Sequence, residues 1–222
     1  MNKQDIHTVY IKSIAQQQQL SGLPKPKHPL FSIVQFKDFP KSEVEQRTKL
    51  ISDLYQITLK KDCPCKAQYG QTQYDFDEGV MSFFSPKQVN IVEPGNFVPR
   101  KGWLLSIHPD FLRGSNLSQK IKTYDFFHYS VNEALILSDE EQKAIETIFE
   151  QIEKEANLPI DKFSRDVIIS NIDLLLTYCN RYYHMHFITR EQSNSELLSK
   201  FENLLNAYFS ETEISLPTVN YF

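Results

Sequence analysis

Apolar residues follow two different periods along the chain, and the change falls near residue 130. Before it they alternate with polar residues in short runs punctuated by Pro and Gly, the period of strands with one covered face. In DLYQITLK, Tyr55, Ile57 and Leu59 share one face, and Gln56, Thr58 and Lys60 the other. GWLLSIHP puts Trp103, Leu105 and Ile107 on one side, and Pro109 stops it. FSIVQF (31–36), QTQYDF with Tyr74 and Phe76 on one face, and QVNIVE read as further strands, and GVMSFFSP as a buried one. Turns fall at CPCKAQYGQTQ and Pro94-Gly95, DFLRGSNLSQKI is a short helical or irregular excursion, and YDFFHYS returns as one more strand. Short strands at close spacing with turns between them predict an antiparallel barrel or sandwich.

After residue 130 the spacing is helical. LSDEEQKAIETIFEQIEKEA opens with a capping box, Ser138 and Glu141, and carries an apolar stripe of Ile145, Ile148, Phe149 and Ile152. DKFSRDVIISNIDLLLTYCNRYYHMHFI (161–188) is apolar around most of its circumference, which predicts cover on more than one side. One side fits the sheet and another a second subunit, with Ile168, Ile172, Leu175, Cys179 and Tyr182 as candidate dimerisation residues. SNSELLSKFENLLNAYF opens with a second capping box, Ser193 and Glu196. Near the other end, Gln16 to Gln19 form a polar run read as solvated.

Composition narrows the function classes. With 222 residues, 41% hydrophobic and 23% charged, the chain has the make-up of a globular protein with a core of ordinary size. A formal net charge of −4 disfavours nucleic-acid binding by these residues, because such a surface must offset a dense line of phosphates. The 3 cysteines do not form a disulfide framework, which points to the reducing cytoplasm. No apolar run has the length to cross a membrane, and the first residues lack the pattern of a signal peptide.

The segments YDFDEGVMSFFSPKQV, GWLLSIHPDFLRGSNL, FFHYSVNEALILSDEE, FSRDVIISNIDLLLTYCNRYYHMHFITR and LLSKFENLLNAYF, in this order, resemble the N-terminal part of AraC-type transcriptional regulators over most of residues 50 to 222. The resemblance implies an α+β chain: an antiparallel cupin-like β-barrel that senses a ligand, then about three helices, some of them dimerising. It divides the sequence into an N-terminal arm (1–24), a barrel (25–135), a helical dimerisation region (136–212) and a linker (213–222). ISLPTVNYF reads as the lead-in to a helix, and the resemblance implies that it begins a C-terminal DNA-binding domain lying outside this chain. The implied partners are a small-molecule effector and a second copy of the chain, with DNA contacted only through that further domain.

Catalytic readings are weak. Metal cupins gather His and carboxylate ligands on barrel strands, but ISDLYQI offers Asp53 and no His, and the later position falls near Asn90, so no metal or other cofactor is expected. His184 and His186 sit at i and i+2 in a helical stretch, where they diverge. Cys63-Pro64-Cys65 reads as a turn rather than a soft-metal or redox site, and Asp75, Asp77 and Glu78 before Gly79 as an acidic turn. Ser106, His108 and Asp110 are too close in sequence for a triad; Pro109 is expected to end the strand and Asp110 to cap the next turn. The aromatic surplus leaves two readings open: Tyr55, Tyr74, Phe76, Phe83 and Trp103 either fill the barrel or wall a ligand pocket with polar groups such as Gln56, Gln73 and Gln88. The rivals to an effector-sensing, non-enzymatic role are a free-standing cupin-like enzyme acting on a small metabolite and a ligand-free interaction module.

Overall fold

The computed structural model describes residues 7–40, 46–61, 68–69, 72–73, 79–92, 101–127 and 134–186. Residues 1–182 form one compact unit and residues 183–222 another, of which 183–186 are described.

The alternation read in the first half becomes two sheets joined by a bent ribbon. Strands β3 (Thr48–Ser52) and β4 (Tyr55–Lys61) run nearly end to end, as do β7 (Val80–Phe84) and β8 (Val89–Val92). β4 pairs antiparallel with β7, and β3 with β8, so both members of the ribbon turn from one sheet into the other at the same corner. Hydrogen bonds hold that corner: Lys87 N donates to Ser52 O, Leu54 N to the Ser52 hydroxyl at 3.2 Å, and Ser85 N to Gln88 Oε1 at 2.9 Å.

The smaller sheet has the order β1-β3-β8, with β1 (His7–Ile11) parallel to β3. The larger is antiparallel, in the order β10 (Leu135–Ile136), β7, β4, β9 (Lys101–Ile107), β2 (Phe31–Gln35). A further short ladder pairs β5 (Gln68–Tyr69) with β6 (Thr72–Gln73). Among the described residues no sheet closes on itself. Gly102 is a backbone necessity in β9: at φ +111 its chain lies so close to β4 that a Cβ would stand 1.8 Å from the Leu59 carbonyl oxygen.

Among the described residues four α-helices accompany the sheets: α1 (Ile14–Leu20), α2 (Leu117–Lys120), α3 (Asp139–Asn157) and α4 (164–186). α3 begins with the expected capping box: the Ser138 hydroxyl accepts from Glu141 N, and the Glu141 carboxylate accepts from Ser138 N. Its stripe of Ile145, Ile148, Phe149 and Ile152 is buried. Asp161 opens α4, its carboxylate accepting from the amides of Phe163 at 2.7 Å and Ser164 at 2.8 Å; these bonds hold its carboxyl below the usual carboxylate range.

Several expectations are corrected. Gln17 and Gln18 of the run read as solvated are buried, in a segment that forms β1 and α1. GVMSFFSP is not buried on both faces but alternates, with Met81 and Phe83 inside. YDFFHYS begins with a 3-10 turn at Asp125–Phe127 rather than a strand, and its residues 128–130 lie outside the described ones. His108, not Asp110, caps the turn after β9; its Nδ1 accepts from Asp110 N at 3.2 Å, while Asp110 pairs with Arg113. Cys63 and Cys65, the acidic turn at 75–78 and the helix expected after Ser193 lie outside the described residues.

Candidate functional site

The register of the large sheet sorts its side chains into two faces, since residues paired across strands project to the same side. On the first face lie Tyr55, Ile57 and Leu59 of β4, Met81 and Phe83 of β7, Trp103, Leu105 and Ile107 of β9, and Phe31 and Ile33 of β2. This face packs on helices and turns. Trp103 stacks on Phe149 of α3 with ring centres 5.7 Å apart, Tyr55 meets Phe127 edge to face at 5.3 Å, and Phe83 meets Phe126 at 4.3 Å. Glu153 of α3 ties down its margin, its carboxylate accepting from Trp103 Nε1 at 3.0 Å and from Gln35 Nε2 at 2.6 and 2.8 Å.

The second face has the opposite chemistry. One row across it reads Phe84, Gln56, Ser106, Ser32; the next reads Ser82, Thr58, Leu104, Val34; and Lys60 lies beside Val80 and Gly102. Thr58, Ser106 and Ser32 are buried there, Ser106 to 1% exposure. The Thr58 and Ser106 hydroxyls have no hydrogen-bond partner among the described residues. An unpaired buried hydroxyl costs about 1–3 kcal/mol, so two on one sheet face call for a polar molecule to meet them. Burial pushes the Lys60 ammonium below the ordinary lysine range, and among the described residues no carboxylate pairs with it. The described strand residues of this face include no carboxylate and no imidazole, so hydroxyl and amide groups and Lys60 supply its polar chemistry.

The residues singled out from the sequence divide accordingly. Tyr55, Phe83 and Trp103 are brought together, but on the helix-covered face, where aromatic neighbours fill the space around them. Gln56 belongs to the polar face, whereas Gln88 holds the corner between β7 and β8. Tyr74 and Phe76 lie outside the described residues, and Gln73 is described in backbone only. Thr58, Lys60 and Ser106 were visible as the polar half of an alternating pattern, but alternation alone does not say which half is enclosed.

On α4, Ile168, Ile172, Leu175, Cys179 and Tyr182 are all buried within a single copy of the chain. They form the stripe that fixes α4 to its own protomer, and burial pushes the Cys179 thiol well above its usual range. Val167 and Leu174 are instead exposed, and with half-buried Asn171 and Tyr178 they leave another line of the helix free for contact. Among the described residues no three His, Cys, Asp or Glu side chains converge in a way that could hold a metal ion, and no helix is long and apolar enough to cross a membrane. No family model matches the chain, and no curated protein is significantly similar to it.

Proposed function

We infer that this chain is the effector-sensing and dimerisation part of an AraC-type transcriptional regulator, with the polar face of the large sheet as the interior of a cupin-like barrel. The observation that carries this reading is the pair of buried, unpartnered hydroxyls on Thr58 and Ser106, set on a sheet whose other face is apolar and packed on helices. Two sheets exchanging strands at a corner, followed by α3 and α4, support the architecture, and the ordered segments that resemble the family support the role. The effector is a small polar metabolite whose hydroxyl or carboxyl groups meet Thr58, Ser106, Gln56 and Lys60.

Dimerisation runs along the free line of α4. Val167, Asn171, Leu174, Tyr178 and Arg181 recur at alternating steps of four and three residues, the spacing of a helix–helix seam. Effector binding changes how two copies are placed, and so how a further DNA-binding domain reaches its site; this requires different effector affinities in the two arrangements.

Calorimetric titration and thermal shift against a panel of sugars, hydroxy acids and phenols test the sensing role. A ligand specific for the folded state raises the melting temperature progressively with concentration. In Thr58→Val and Ser106→Ala the unliganded protein is expected to melt as the wild type does while the ligand shift disappears. A ligand shift that survives both substitutions defeats this site assignment.

A further inference from the structure

A second space lies at the free edge of β2, beside Ser32 and Val34 at the margin of the polar face. It has a volume of about 680 Å³ and is walled by β2, by the chain around residues 23–28, by the end of α3 and by the first turn of α4. That volume is in the range that holds a whole small molecule. Leu23, Ile33, Val34, Leu158 and Ile160 make most of its wall apolar, and Leu158 and Ile160 are exposed.

One wall residue is out of keeping with the rest. Gln18 of α1 is 6% exposed, and its Nε2 donates to the Ser32 hydroxyl at 2.7 Å. The other end of its amide has no partner among the described residues. A buried half-satisfied amide is costly, and a ligand hydroxyl, which both donates and accepts, serves whichever end the amide presents.

The charges around the space oppose one another. Lys25, Lys27 and Arg165 are offset by Asp38, Glu155 and Asp161. Several are already engaged: Lys27 donates to Asn157 at 2.6 Å, Arg165 to the carbonyls of Phe111 and Arg113, and Asp161 caps α4. His28 accepts from Leu30 N, and burial lowers its pKa, which keeps the ring neutral. Neither an anion nor a cation gains a net counter-charge there.

We propose that this cavity is a second binding site, separate from the cluster of Thr58, Ser106, Gln56 and Lys60, for a neutral, largely apolar molecule bearing a hydroxyl that hydrogen-bonds Gln18. Such a ligand joins the edge of the sheet to the start of α4.

Displacement of Nile red from the whole chain by para-octylphenol, octylbenzene and para-octylbenzoate tests it. The phenol is expected to bind saturably, about tenfold more tightly than octylbenzene, the size of one buried hydrogen bond. Gln18→Met should abolish that preference and leave octylbenzene unchanged, and Ala156→Trp, which fills the cavity, should weaken both ligands without touching the amide. Thr58→Val and Ser106→Ala should change nothing; loss of phenol binding in those variants would move the ligand to the Thr58 and Ser106 hydroxyls and overturn the proposal. Equal binding of phenol and octylbenzene by the wild type, tightest binding of the benzoate, or no displacement by any of the three would each overturn it too. The wild-type series decides the matter even if Gln18→Met fails to fold.

Discussion

Leu105 and Ser106 are neighbours in β9 and point opposite ways, and both are almost wholly buried. Leu105 joins Ile57 and Ile33 on a face closed by aromatic rings and α3. Ser106 lies between Gln56 and Ser32 on a face where its own hydroxyl and that of Thr58 lack partners among the described residues. The same strands thus carry one face that stabilises and one that keeps polar groups enclosed at a cost. Burial alone does not separate the two roles; satisfaction of the buried groups does.

The comparison predicts a graded series. Leu105→Ala opens a hole in the apolar face and should lower the unfolding free energy by about 2–5 kcal/mol in a denaturant titration. A loss below that range would show that the helix-covered face is not the main core. Glu153→Ala strands the Trp103 and Gln35 donors and should cost about 1–3 kcal/mol, with a change in Trp103 fluorescence as α3 loosens over the ring.

Lys60→Met should act with the opposite sign. The folded-state pKa of Lys60 lies below its unfolded value, so the unfolded chain binds more protons between the two. That part of the wild-type stability is absent at lower pH and returns as pH rises through the folded pKa towards the ordinary lysine value. The Met variant should be more stable than the wild type at neutral pH, and its advantage should shrink in alkaline buffer. An advantage independent of pH would remove the charge from the explanation. Ser106→Ala is expected to have the smallest effect, within about 0.5 kcal/mol of the wild type or slightly stabilising, because it deletes a buried group that had no protein partner. A loss on the scale of Leu105→Ala would mean that the two faces do the same work.

Much of the local structure was legible. The alternation in 55–60 and 103–107 became β4 and β9 with the stated residues on common faces. Ser138 and Glu141 formed the capping box, and the stripe from Ile145 to Ile152 was buried as its spacing required. What spacing left undecided has a common form. Gln17 and Gln18 look solvated because glutamine is polar, yet α1 carries them into the unit. For Tyr55, Phe83 and Trp103 spacing left core and pocket wall both open, and the rings of Phe127, Phe126 and Phe149 lie against them. The stripe from Ile168 to Tyr182 was read as a candidate interface, and it is buried within a single copy of the chain.

The sequence by itself determined the strand character of β4 and β9, where α3 starts, and which of their side chains share a face. Those properties follow from backbone geometry, capping chemistry and spacing, all of which act within a few residues. Only the tertiary structure decided which face of the large sheet the helices cover, that Gln17 and Gln18 are enclosed, and which line of α4 is left free. Each of these depends on a neighbour far away in the chain, because a period describes how residues group and carries no information about what they meet.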